Sequence, residues 1–147
     1  MGGILKLSSL LEGERRGILF LGPRNDSLSQ MAEGFARFLC PADLTVYSAG
    51  CDPSAVHELT IRAMKEVGID VSGHKSKGVD GVPLDRIAIA ITLCDPEQPL
   101  PSLPDRIEVL EWPIDDPGAV GKGGNEANLA AFRSSRDKVR ELVSALF

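Results

Sequence analysis

The densest set of chemically able side chains lies in Gly22-Pro23-Arg24-Asn25-Asp26-Ser27-Leu28-Ser29. Glycine, proline, asparagine, aspartate and serine each favour turns for a different backbone reason, so this stretch reads as a tight loop. Before it, Ile18 to Leu21 form an unbroken apolar run, as in a strand covered on both faces. After it comes helical spacing, with Met31, Phe35, Phe38 and Leu39 as the apolar stripe beside polar Glu33 and Arg37. A strand that feeds a helix through such a loop aims a helix N-terminus and several N–H groups at one point, and that point favours anions. Arg24 offers a guanidinium within the loop; a solvent-facing loop arginine is the plainer reading. Ser27 offers a hydroxyl, but no base lies beside it in sequence, because His57 and His74 fall in other segments. Ser27 and Gln30 are spaced as a capping box, which predicts a helix start at Ser27 and gives that hydroxyl a structural task.

A second acidic group stands at Asp115-Asp116-Pro117, where an Asp before Pro is also an ordinary turn. The cysteines are Cys40, Cys51 and Cys94, an odd and sparse set that suggests a reducing compartment, the cytoplasm. No pair has zinc-ligand spacing and there are only 2 histidines, so neither a metal nor another cofactor is expected. The net charge of -5 argues against a nucleic-acid partner. No apolar run is long enough to span a membrane.

These groups need elements to position them. A length of 147 residues predicts one domain, and 43% hydrophobic residues suffice for its core. Residues 1–16 lack the order of a signal peptide and read as an N-terminal extension, either a tail or a docking segment. The domain spans residues 17–147. Leu44 to Ser48 alternates and predicts a second strand; Pro53-Ser54 opens a helix that ends at Gly68. Arg86 to Cys94 is the strongest buried strand, and Ile107 to Trp112 is a fourth. Between them, Cys94 to Pro104 is a stiff proline-rich loop. A last helix runs from about Glu126 to Leu146. This alternation predicts an α/β fold: a three-layer sandwich with a four-stranded parallel sheet and helices on both faces, Rossmann-like. Ligands in such folds bind beyond the carboxyl ends of the strands, where the loops at residues 22–29, 94–104 and 115–116 are expected to meet.

Several blocks in consistent order resemble the low-molecular-weight protein tyrosine phosphatases, nearest to their thioredoxin-coupled arsenate reductase branch. They are Phe20-Leu21 with Gln30-Met-Ala-Glu-Gly-Phe-Ala36, Val46-Tyr-Ser-Ala-Gly50, Ala63 to Asp70 and Gly73-His-Lys-Ser76. Ile91-Thr-Leu-Cys-Asp95, Trp112-Pro-Ile-Asp-Asp-Pro117 and Ala131 to Asp137 continue them to the C-terminal helix. The resemblance implies the phosphotyrosine protein phosphatase I-like fold and a phosphate loop at residues 22–29. It also implies a Cys nucleophile followed by five residues, an Arg and a Ser or Thr. Here the Cys position is Gly22 and the Arg position is Leu28, while Asn25 and Ser29 keep the family's residue types.

A thiolate nucleophile and a bidentate guanidinium are what that chemistry needs, and Gly22 and Leu28 supply neither. Pro23 removes one backbone donor from the loop, and Asp26 adds a negative charge to it. By resemblance, Asp116 is a vestigial general acid and Cys94 a vestigial redox cysteine whose partner is missing from residues 95–101. Asn25, Glu33 and Ser48 match the surroundings of a potassium ion held by some of these reductases. Lys77 stands where a carboxylate would be, so its ammonium is expected to take the cation's place and pair with Glu33.

Three readings follow. One is a catalytically degenerate member acting by binding, with an unknown protein partner. Another is an enzyme with altered chemistry at the same cleft, using Arg24, Ser27, Asp116 or a bound cofactor. The third is a weak module for oxyanions or phosphoproteins.

Overall fold

The computed structural model describes residues 15–93, 101–115, 117 and 125–147, with the side chains of residues 125 and 126 left aside. Strand β1 (Gly17–Gly22) is buried along its whole length, as its unbroken apolar run requires. With β2 (Thr45–Gly50), β3 (Ile87–Thr92) and β4 (Glu108–Glu111) it forms a four-stranded sheet in the order β2-β1-β3-β4. Every pairing is parallel. Gly22 lies opposite Gly50, Leu21 opposite Thr92, and Thr92 opposite Glu111, so all four strands end along one edge. The chain leaves β1 toward β2 and returns to β3 on β1's other side, so the loop after β1 opens at the topological switch point.

The α-helices are α1 (Leu28–Leu39), α2 (Glu58–Lys65) and α3 (Asn125–Ser144). Their apolar faces meet one side of the sheet. Ile18, Phe20, Ile89 and Ile91 share a core there with Met31, Phe35, Met64, Phe132 and Val139. Alternate strand residues, Leu19, Leu21, Ala49 and Ala90, point to the opposite face. Two 3-10 turns, Val79–Gly81 and Leu84–Arg86, bring Val79 and Leu84 against that second face. The α/β sandwich predicted from the alternation of elements is the fold observed.

Helix α2 starts at Glu58, later than the predicted opening at Pro53-Ser54. The backbone amide of Ser54 is drawn away by the Arg24 carbonyl at 3.1 Å and the Ser76 hydroxyl at 2.8 Å. His57 caps α2 instead, its Nδ1 accepting from the Leu59 amide at 3.0 Å. The C-terminal end follows expectation. Gly68 takes a φ of 82, and the Ile69 amide reaches back to the Met64 carbonyl at 3.0 Å.

A charged latch joins α2 to α3 beyond the apolar contact. Arg133 grips Glu66 through Nε at 2.8 Å and Nη2 at 2.5 Å, and Arg136 Nη1 adds a bond at 2.9 Å. At the opposite end of the sheet, Arg16 pairs with Asp43 at 2.9 Å and Arg15 donates to the Asp85 carbonyl at 3.1 Å. The rest of the N-terminal extension lies outside the described residues. Among the described residues no helix is long and apolar enough to cross a membrane.

Candidate functional site

The loop from β1 into α1 is held from outside by its carbonyls. The Pro23 carbonyl accepts from the Asp52 amide at 2.8 Å. That of Arg24 accepts from the Ser54 amide at 3.1 Å and the Ser76 hydroxyl at 2.6 Å. The Asn25 carbonyl takes Gln30 Nε2 at 3.1 Å, and that of Asp26 takes the His57 amide at 3.0 Å and the Thr60 hydroxyl at 2.9 Å. In a planar trans peptide the carbonyl and the next N–H point in opposite directions. Turning the carbonyls outward therefore turns the following amides inward. The amides of Arg24, Asn25, Ser27 and Leu28 donate no hydrogen bond among the described residues. Inward N–H groups at the start of a helix form a concavity suited to anions.

Asn25 fixes this shape. Its φ of 53 lies in the left-handed region, which asparagine tolerates better than most residues. Its side chain is fully buried, donates to Ser29 Oγ at 3.0 Å, and accepts from Gln30 Nε2 at 3.0 Å and the Lys77 amide at 3.0 Å. Gly50 on β2 is required by close approach. A Cβ there would stand 2.7 Å from the Asn25 nitrogen and 2.8 Å from the Arg24 carbonyl carbon, both backbone atoms.

The predicted capping box does not form. Ser27 is the N-cap of α1 but makes no side-chain cap bond, with φ -136 and ψ -89. Gln30 is turned inward instead. Beyond Asn25, its amide reaches the Lys75 carbonyl at 3.2 Å, and its oxygen meets His74 Nδ1 at 3.1 Å. Gln30, Thr60 and Ser76 are loop holders that sequence reasoning missed. Only the polar type of Gln30 on a helix with a strong apolar stripe could have signalled it.

At the two positions where the resemblance implies a nucleophile and an arginine, the structure holds neither group. Gly22 ends β1, and a Cβ built there would lie 3.0 Å from Ser29 Oγ. Leu28 is 4% exposed and packs in the apolar core. Pro23 and Asp26 are half-buried, and Arg24 is exposed. Leu93, whose amide bonds the Leu21 carbonyl at 2.8 Å, brings the chain to the strand edge just before Cys94. Cys94 and Asp116 themselves lie outside the described residues. Cys51 is exposed on an open cleft of about 540 Å³ lined also by Gly50, Pro53, Gly78 and Asp80. Desolvation raises the Cys51 thiol above the ordinary cysteine value, and likewise that of Cys40, so neither is activated.

Beneath the loop, Glu33, Ser48 and Lys77 come together. Glu33 is 3% exposed. The Ser48 hydroxyl donates to its Oε1, and Lys77 Nζ stands 3.6 Å from the same oxygen. Arg37 Nε donates to Oε2 at 2.7 Å, and His74 Nδ1 lies 3.8 Å from it. Burial alone pushes this carboxyl up. The Ser48 hydrogen bond and the charges of Lys77, Arg37 and His74 together outweigh it and hold the group below the usual carboxylate value. Lys77 thus meets Glu33 with its ammonium and Asn25 with its backbone amide. Among the described residues no cluster of three His, Cys, Asp or Glu is arranged to hold a metal.

Residues 17–147 match the family described as low molecular weight phosphotyrosine protein phosphatase. An arsenate reductase of Staphylococcus aureus (strain Newman) is 38% identical over 127 residues, covering 86% of this chain and 92% of its own. A solved arsenate reductase in its oxidized state superposes with a TM-score of 0.76 at 36% identity, covering 89% of this chain and 95% of its own. Another, in a phosphate-binding state, gives 0.72 at 34% identity with the same coverage.

Proposed function

Because this chain belongs to the low molecular weight phosphotyrosine protein phosphatase family, we propose that it is a member without turnover, one that acts by binding and has a protein as its partner. The observation that carries this reading is the pair Gly22 and Leu28. The first has no side chain, and the second is committed to the apolar core. Losing a charge-assisted hydrogen bond to a bound anion costs about 1.5–3 kcal/mol. A missing nucleophile is a larger loss, because binding alone cannot supply the chemistry. The odd, sparse cysteine set supports a reducing compartment, the cytoplasm, as its location.

A second reading has an observation of its own. The unspent amides of Arg24, Asn25, Ser27 and Leu28 favour residual oxyanion binding in the altered loop. A related arsenate reductase has been captured in a phosphate-binding state, which is consistent with an anion at this place. An enzyme with altered chemistry would work through Arg24, Ser27, Asp116 or a bound cofactor.

The test is turnover of p-nitrophenyl phosphate, and of arsenate in the presence of thioredoxin. The expected rate equals the blank. A rate that disappears in the Ser27→Ala or Asp116→Asn variant would overturn the non-catalytic reading; a rate that survives both substitutions belongs to a contaminant.

A further inference from the structure

We propose that His57 makes the loop between β1 and α1 answer to acid: a proton on its ring undoes the cap of α2 and loosens one of the outside holds on the loop. Two hydrogen bonds of this one residue carry the inference. Its amide donates to the Asp26 carbonyl at 3.0 Å, and its ring Nδ1 accepts from the Leu59 amide at 3.0 Å. The Asp26 carbonyl has a second partner, the Thr60 hydroxyl at 2.9 Å, from the first turn of α2. Both holds on that carbonyl therefore come from the residues that open α2. The Asp26 carbonyl shares a peptide plane with the Ser27 amide, so these holds also aim the Ser27 N–H.

The cap admits only one form of the ring. A backbone amide can only donate, so Nδ1 must present its lone pair, and the neutral ring carries its proton on Nε2. A second proton takes that lone pair. Two donors then face each other, and a positive ring stands at a helix N-terminus that already carries partial positive charge. Serine, threonine, asparagine and aspartate, the usual caps, accept through oxygens that keep their lone pairs across the neutral range. Histidine changes charge between about pH 5 and 8, so this is a cap that a change of pH near neutrality can switch.

The surroundings let the ring turn but do not restore the cap. His57 is half-buried and packs on Phe132 of α3, with ring centroids 4.7 Å apart and planes at 36°. Phe132 is itself fixed in the core. A half-turn of the imidazole about its Cβ–Cγ bond keeps the ring in the same plane against Phe132 but puts a carbon in place of Nδ1 at the Leu59 amide. The charged side chains on neighbouring elements are Arg24 and Asp26 of the loop, Asp52 after β2, Glu58 and Arg62 of α2, and Arg133 and Arg136 of α3. The two α3 arginines are engaged with Glu66. The arginines have no acceptor to give the Leu59 amide. The carboxylates could reach it only once the ring had moved aside, which is the change proposed.

The experiment is a titration of the isotope-labelled full chain from about pH 8 to about pH 5, read by the ring nitrogens of His57 and the amides of Ser27, Leu59 and Thr60. At the alkaline end the ring nitrogens should report the tautomer with its proton on Nε2. On acidification the Leu59 and Ser27 signals should move with one midpoint, that of the His57 ring. Solvent exchange at the Leu59 amide should rise about fivefold beyond its ordinary pH dependence. His57→Asn keeps a cap that takes no proton, so in that variant the shared transition should vanish while the rest of the spectrum stays. His74, the other histidine, remains in that variant as an internal control. The proposal is overturned by a neutral ring with its proton on Nδ1, by a ring that titrates while Leu59 and Ser27 stay still, or by a transition that survives His57→Asn. A ring that takes up no proton down to about pH 5 overturns it equally. Measured turnover, which decides the non-catalytic reading, bears on none of these outcomes.

Discussion

Lys77 and Asn25 divide the support of the loop between a charge and a shape. Lys77 touches both, with its ammonium at Glu33 and its amide at the Asn25 side chain. We expect Lys77→Ala to lower stability by about 1 kcal/mol at neutral pH, since Ser48 and Arg37 still serve the buried carboxylate. The sign with pH is set by Glu33. Its folded pKa is depressed, so its contribution is present above the unfolded value of about 4.3 and is lost as pH falls through the folded value. Removing Lys77 takes away one of the lowering causes, so the acid transition should move to higher pH. Melting temperature followed against pH checks this, and an unchanged profile would remove Lys77 from the loop's support. At this scale the sequence was readable where a residue type was lost. Gly22 and Leu28 could be read directly as residues that carry neither a thiol nor a guanidinium. Gln30 was not readable, because capping spacing is a local statement while its acceptor on Lys75 lies 45 residues away. The same distance problem hid Ser76 behind Arg24, 52 residues apart.

Elements followed periodicity wherever burial enforced it. β1, and β3 up to its terminal Thr92, are apolar because both lie inside the sheet, with neighbours on either side and cores on both faces. β4 sits at the edge, which fits its exposed Glu108 and Glu111. The start of α2 was misread because Pro53-Ser54 is a good local opening. Its backbone is claimed instead by the loop it lies against. What local spacing could not anticipate is the latch between α2 and α3. Arg133, then Arg136, hold the Glu66 carboxyl down to about 2. Its contribution is therefore full above the unfolded value of about 4.3 and fades as pH falls toward 2. Glu66→Gln should melt lower than the unmodified protein at neutral pH, and the two curves should converge in acid. A constant gap down to the lowest pH would show that the latch acts through packing and not through charge. Raised salt should narrow the neutral-pH gap in part, because the Arg133 contact is open to solvent while Arg136 is buried.

Across the whole molecule, the cradle is shaped by chain segments far from it in sequence. Asp52 and Ser54 follow β2, His57 and Thr60 belong to the start of α2, and Ser76 and Lys77 precede the 3-10 turns. Each approaches the loop from outside, and none depends on a nucleophile at residue 22 or an arginine at residue 28. The concavity is thus a property of the fold, and it forms with Gly22 and Leu28 at those two positions.

The outward carbonyls and inward amides also divide the loop by solvent isotope exchange. The amides of Asp52 and His57 are spent on loop carbonyls, so deuterium should enter them only when the loop parts from α2 and the end of β2. The amides of Arg24 and Ser27, on the same peptide planes as those two carbonyls, have no such guard among the described residues. In heavy water at neutral pH the second pair should label well before the first. Exchange at equal rates would mean that the loop opens as one piece, and a cradle that opens so readily would hold no preformed shape for any guest.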